Sequence, residues 1–208
     1  MDFSRLHVRG YPVCQDLKNE KTLMSNKNRV CPVELSHSLD SFVRHLLQNP
    51  RKILSPYITQ GMSVLDIGCG PGFFSIEIAK LVGATGKVFS ADLQEGMLQR
   101  LRDKIKETEP EQRITLIKCD SDKINVPEMV DFILAFYVVH EVPDKNLFFK
   151  QLRNILNENG QFLLVEPTLF HVSRKEFEAT TRIAEINRFK VYPGPRLRFS
   201  WSALLKNA

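Results

Sequence analysis

Apolar residues recur along this chain in two rhythms. Short, nearly continuous apolar runs read as strands buried on both faces: Met62 to Ile67, Lys87 to Ala91, Ile114 to Lys118, Val130 to Phe136 and Gln161 to Val165. Between them, apolar positions three and four apart mark amphipathic helices. One spans Gly72 to Val82. A second spans Gln94 to Glu107, turns Met97, Leu98, Leu101 and Ile105 inward, and is stopped by Pro110. A third opens at Pro143-Asp144, runs through Phe148, Leu152, Ile155 and Leu156, and has Gly160 past its end; Asp144 suits its N-cap. Ser173-x-x-Glu176 is a capping box that opens a helix to about Asn187. Phe189 to Tyr192 and Arg196 to Trp201 read as two strands around Pro193-Gly194-Pro195. Strand and helix alternating in this way predict an α/β fold with a doubly wound sheet.

Upstream the pattern changes. Leu39, Phe42, Val43, Leu46 and Leu47 share one helical face, and Pro50 ends or breaks that helix. Arg51 to Tyr57 adds a short turn before Pro56. Residues 1–37 carry little periodicity and read as an irregular leader or a lid over the site, with Phe3 and Tyr11 as aromatic anchors. The domain proper is expected over 38–208.

Composition narrows the function. Lys and Arg outnumber Asp and Glu by 29 to 24, a surplus of +5 that is mild and scattered, which disfavours a nucleic-acid face. The four cysteines, Cys14, Cys31, Cys69 and Cys119, form no C-x-x-C pair, so no metal site is expected. Neither a signal peptide nor an apolar run of membrane-spanning length is visible, and a cytoplasmic protein with reduced thiols is expected.

The densest chemistry lies at Val64-Leu65-Asp66-Ile67-Gly68-Cys69-Gly70-Pro71-Gly72-Phe73-Phe74. An apolar run ends in an acidic residue, alternating glycines follow, and a helix opens at Pro71 or Gly72. Glycine permits a tight turn and close approach of a ligand to the backbone, and the helix's unpaired N–H groups attract polar groups. The spacing is G-x-G-x-G, with Phe73 where a dinucleotide fingerprint has its third glycine. The stretch resembles motif I of the class I, Rossmann-like S-adenosylmethionine-dependent methyltransferases. The segment Phe136-Tyr137-Val138-Val139-His140-Glu141-Val142-Pro143-Asp144 resembles the corresponding loop of the small-molecule enzymes of ubiquinone and menaquinone biosynthesis. The resemblance spans Ser38 to Leu205. It implies a mostly parallel seven-stranded sheet with helices on both faces and an antiparallel C-terminal strand.

The same resemblance implies S-adenosylmethionine as cofactor and assigns roles at the strand ends. Asp92 would grip the ribose hydroxyls. Asp120 and the Ser121 N–H would meet the adenine, with Leu93 and Met97 sandwiching it. Gly68, Cys69, Gly70 and the backbone around Ala135 and Phe136 would hold the methionyl end, with Asp66 supplying negative charge nearby. His140 is the candidate general base and Tyr137 a second catalytic candidate. His140 reads equally as a histidine tying its loop to Glu141 or to backbone, and Tyr137 as a packing residue. The fifth strand ends at Glu166-Pro167, to which no role falls.

The expected activity is methyl transfer to a small, partly apolar acceptor, with Phe42, Tyr137, Phe170 and Trp201 as pocket walls. Three alternatives stand beside it: a cofactor-binding regulator without catalysis, an arsenite methyltransferase using cysteines such as Cys31, and an NAD-dependent dehydrogenase, which would also use Asp92.

Overall fold

The computed structural model describes residues 48–168 and 172–208. The helix expected over 39–47, the division at 37/38, and Phe42, Phe170, Cys14 and Cys31 lie outside them. The first described element is α1 (Pro50–Leu54), capped by the Asn49 side chain, which accepts the Lys52 N–H at 3.0 Å. Pro50 opens this helix. Its missing N–H falls where no helical partner is needed.

Seven strands follow: β1 (Ser63–Ile67), β2 (Lys87–Asp92), β3 (Ile114–Lys118), β4 (Val130–Phe136), β5 (Leu156–Pro167), β6 (Phe189–Pro193) and β7 (Ser200–Asn207). They form one sheet in the order β3-β2-β1-β4-β5-β7-β6. The pairs among β1 to β5 are parallel, and β7 runs antiparallel to both of its neighbours. The chain winds outward from β1 to β3, then returns to the other side of β1 and winds outward again. The switch between β1 and β4 opens a crevice at the carboxyl ends of these strands, where open α/β sheets take their ligands.

Alternation along each strand separates two apolar layers. Leu65, Ile67, Phe89, Ile133, Ala135, Phe162, Leu164 and Leu205 face α4 (Lys145–Ile155) and α5 (Arg174–Ile186), meeting Phe149, Leu152 and Ala184. Val64, Val88, Phe132, Leu134, Leu163 and Val165 face the other way, against α1, α2 (Ser75–Val82) and α3 (Glu95–Ile105). Asp144 caps α4 by accepting the Leu147 N–H, and Ser173 with Glu176 closes the capping box of α5.

Three boundaries differ from expectation. Helix α2 begins at Ser75, not at Pro71 or Gly72. Gly70 and Gly72 hold φ of +53° and +87°, a left-handed conformation that no right-handed helix can include. Strand β5 begins at Leu156, directly after α4, so Gly160 lies inside the strand. The register with β4 shifts between Val130 and Phe132 to absorb residues 157–160. Strand β7 runs from Ser200 to Asn207, beyond the span expected from Arg196. Its position is set by burying Ala203 and Leu205 alongside Phe162 and Leu164.

Candidate active site

The exits of β1 and β2 build the first half of the site. The Asp92 carboxylate closes β2 and is nearly buried. Its Oδ2 accepts the Gly70 N–H at 2.9 Å and its Oδ1 the Gln94 N–H at 2.8 Å. One side chain thus ties the glycine turn to the start of α3. Burial pushes its pKa up, and those amides with the Lys118 ammonium pull partly back. Asp66, one position before the end of β1, is buried and accepts the Ser75 hydroxyl at 2.6 Å, pinning the first turn of α2 to the sheet.

The glycines differ in what they allow. A Cβ on Gly68 (φ +71°) would lie 2.5 Å from Val138 Cγ2, and one on Gly72 would lie 2.2 Å from Leu101 Cδ1. Among the described residues, a Cβ on Gly70 would meet nothing within 4 Å. The turn therefore packs tightly at Gly68 and Gly72 and opens at Gly70, beside Asp92. The Gly70 and Gln94 amides take one position on each Asp92 oxygen and the Leu93 amide lies close by, whereas an ionised carboxylate has about four acceptor positions in all. Acceptor capacity therefore remains for a vicinal diol. An open turn with a carboxylate at its rim fits the ribose and amino-acid ends of S-adenosylmethionine.

Other expected cofactor residues fare unevenly. Leu93 is 41% exposed beside Asp92, whereas Met97 is 2% exposed and offers almost no surface to an adenine. At the third position of α3, Met97 turns with Leu98 and Leu101 into the protein. Asp120 and Ser121 are exposed. The Asp120 carboxylate accepts Asn125 Nδ2 at 3.0 Å, so Asp120 is not a third desolvated carboxylate at the strand ends. Phe136 joins a run of rings from the turn to the β4 exit: Phe73 to Phe74 at 5.0 Å, Phe74 to Phe136 at 4.3 Å, and Phe136 to Tyr137 at 4.5 Å.

The exits of β4 and β5 build the second half. Tyr137 has φ +64°, a conformation an aromatic residue adopts only when its surroundings impose it. Its hydroxyl meets Gln48 Nε2 at 2.7 Å and Ser200 Oγ at 2.6 Å. A hydroxyl engaged on both sides braces the loop rather than waiting for a substrate. Tyr137 packs with the α1–α3 layer, whereas Trp201 stacks on Phe177 of α5 and donates its Nε1–H to the Val172 carbonyl. The two rings lie on opposite faces of the sheet and are not walls of one pocket.

His140 sits on a short 3₁₀ turn, Val139–Glu141. It is held mainly by a residue to which the sequence assigned no role, the buried Glu166. Glu166 accepts the Val139 and His140 backbone N–H groups at 2.9 and 3.2 Å, and it lies 2.6 Å from His140 Nδ1. The sequence signal for it is the acidic residue directly after the apolar run of β5, Glu166. A separate cleft of about 700 Å³ lies behind the glycine turn, lined by Arg51, Phe73, Glu77 and Lys80 among others. Neither Asp92 nor His140 lines it, so it is not the strand-end site. Among the described residues, no group of three His, Cys, Asp or Glu side chains is arranged to hold a metal ion.

Comparison with known proteins agrees with this geometry. The methyltransferase domain family matches residues 58–197. This chain belongs to that family. The methyltransferase domain is 27% identical over 161 residues to a ubiquinone/menaquinone biosynthesis C-methyltransferase of Cellvibrio japonicus (strain Ueda107), a match covering 77% of this chain and 63% of that protein. It is also 27% identical over 137 residues to a demethylmenaquinone methyltransferase of Staphylococcus aureus (strain MRSA252), covering 64% of this chain and 56% of that one. The chain thus spans about three-fifths of the length of these curated relatives. In fold it is similar to a SAM-dependent methyltransferase from Aquifex aeolicus, with a TM-score of 0.76 and 24% identity over 85% of this chain and 98% of that one.

Proposed function

We propose that this methyltransferase domain binds S-adenosylmethionine across the exits of β1 and β2 and catalyses transfer of its methyl group to a small, partly apolar acceptor. The observation that carries this reading is the buried Asp92 carboxylate bonded to the Gly70 N–H, at the rim of a turn that is open only at Gly70. Asp92 takes the ribose hydroxyls. Gly68, Cys69 and the Phe136 backbone receive the amino-acid tail. Leu93, with Asp120 and Ser121 at the next exit, borders the adenine. When bound, the cofactor supplies a sulfonium whose methyl is ready for in-line displacement. The protein's part is to orient the acceptor and exclude water, and orientation can contribute about 7–11 kcal/mol. His140, on the loop after β4, takes the acceptor's proton.

Phe73 supports this reading over a dehydrogenase. Its buried ring fills the place where a dinucleotide fingerprint needs a glycine. The free thiols Cys69 and Cys119 support a reducing, cytoplasmic setting. No helix among the described residues is long and apolar enough to cross a membrane. Calorimetric titration with S-adenosylhomocysteine and with NAD tests the cofactor assignment. S-adenosylhomocysteine should bind the more tightly, and a preference for NAD would overturn it. A metabolite screen for incorporation of labelled methyl then identifies the acceptor.

A further inference from the structure

Glu166 is a carboxylate with 2% of its surface exposed, and burial of that kind is costly unless every oxygen is met. Its hydrogen bonds among the described residues go to one neighbouring loop. Oε1 accepts the Val139 N–H, and Oε2 accepts the His140 N–H and contacts His140 Nδ1 at 2.6 Å. On the other side of the ring, Glu141 Oε1 lies 3.9 Å from Nε2, beyond hydrogen-bond reach. Two carboxylates flank the imidazole, and distance decides which one governs it. An ionised carboxylate only accepts, so the short contact places the ring proton on Nδ1. A neutral imidazole protonated at Nδ1 carries its lone pair on Nε2.

We propose that Glu166 is a positioning residue that holds His140 as the Nδ1–H tautomer, so that Nε2 is the atom that accepts a proton. The proposal rests on the methyl-transfer reading for its purpose but not for its test. As the acceptor's attacking atom bonds to the methyl carbon, the carbon–sulfur bond breaks and its electron pair stays on sulfur. The acceptor's proton passes to Nε2. The resulting imidazolium faces the Glu166 carboxylate until the proton leaves to solvent. Such a pair suits an acceptor that arrives with a proton on its attacking atom, such as a hydroxyl or an activated carbon, and is superfluous for a tertiary amine or a thioether.

Glu166→Gln leaves one acceptor oxygen where the Val139 and His140 N–H groups and Nδ1–H shared two, and puts an NH₂ in the other's place. With the oxygen on the Val139 N–H, the NH₂ donates to Nδ1 and moves the ring proton to Nε2; with the oxygen on the His140 N–H, the proton stays, so the variant mixes the tautomers. Nitrogen-15 spectra of imidazole-labelled protein read this directly, with His140→Gln identifying the signal among the chain's five histidines. The wild type should show protonated Nδ1 and bare Nε2, and Glu166→Gln a mixture that gains protonated Nε2. S-adenosylhomocysteine binding, measured on the same samples, reports the cofactor reading separately. If Glu166→Gln does not fold, Glu166→Asp replaces it, since its shorter carboxylate withdraws from Nδ1 and should mix the tautomers. Protonated Nε2 in the wild type, or a tautomer that neither variant moves, would overturn the proposal.

Discussion

The two halves of the site hold their carboxylates by different means. At the β1–β2 exits the partners are the glycine turn itself and the helix starts beside it. Asp92 holds Gly70 and Gln94, and Asp66 holds Ser75. At the β4–β5 exits, Glu166 reaches across to a loop 26 and 27 positions earlier. Among the described residues, the first arrangement leaves one backbone position of the turn, Gly70, with no neighbour where a side chain would sit. The second is closed, and fixes a loop and one imidazole. One half leaves a backbone position open and the other holds a side chain still.

If so, removing the two carboxylates should have crossed effects. Glu166→Ala leaves the Val139 and His140 N–H groups without their acceptor in a buried place, and each such orphan costs about 1–3 kcal/mol. Urea unfolding should show this as the largest stability loss of the set. Asp92→Ala frees amides beside an open turn, where water replaces the carboxylate, so its cost should be about 1 kcal/mol or less, while cofactor affinity falls more. Equal losses of stability from the two variants would break the comparison.

The glycines sharpen it. Gly68→Ala forces a Cβ against Val138 at a left-handed φ and should cost about 1–3 kcal/mol. Gly70→Ala pays only the left-handed penalty, about 1–2 kcal/mol, with no clash. Thermal unfolding should rank Gly68→Ala as the less stable, and Gly70→Ala should bind S-adenosylhomocysteine more weakly than its stability alone would suggest. Equal stabilities would mean that the turn is not packed as described.

The pattern of what was legible follows the same division. β1 to β4, the capping box at Ser173 and the Asp144 cap could be read because apolar runs and caps are local. Asp92 could be read because it directly ends a strand beside the glycines. Glu166 was passed over because its partners are distant in sequence, and only the sheet order brings β5 beside β4. The exposure of Asp120 could not be read, because ending near a strand does not decide burial, and here Asn125 and solvent meet it. The span of β7 was misplaced because Arg196 to Trp201 alternates as a strand does. Burial of Ala203 and Leu205 against β5, a tertiary demand, overrode that pattern.

A smaller effect follows from Asp92's raised pKa. The native state keeps this proton to a higher pH than the unfolded chain does. Asp92 therefore adds stability as pH falls through the window just above the ordinary carboxylate value, and withdraws it as pH rises. Scanning calorimetry against Asp92→Asn, which does not titrate, should show the wild type gaining relative stability on acidification through that window. S-adenosylhomocysteine affinity should fall over the same range. The smallest effect concerns the thiols. Burial, with the Asp66 and Asp92 carboxylates adding, pushes Cys69 well up, and burial pushes Cys119 up to about 12. Both should resist iodoacetamide at neutral pH in the folded protein and react once it is unfolded.

The central claim is that Asp92, at the open corner of the glycine turn, grips the cofactor's ribose. It is tested most directly by titrating S-adenosylhomocysteine into the wild type and into Asp92→Ala shown to be folded. The variant should bind at least tenfold more weakly, a difference of about 1.4 kcal/mol. Unchanged affinity in a folded Asp92→Ala would contradict the account.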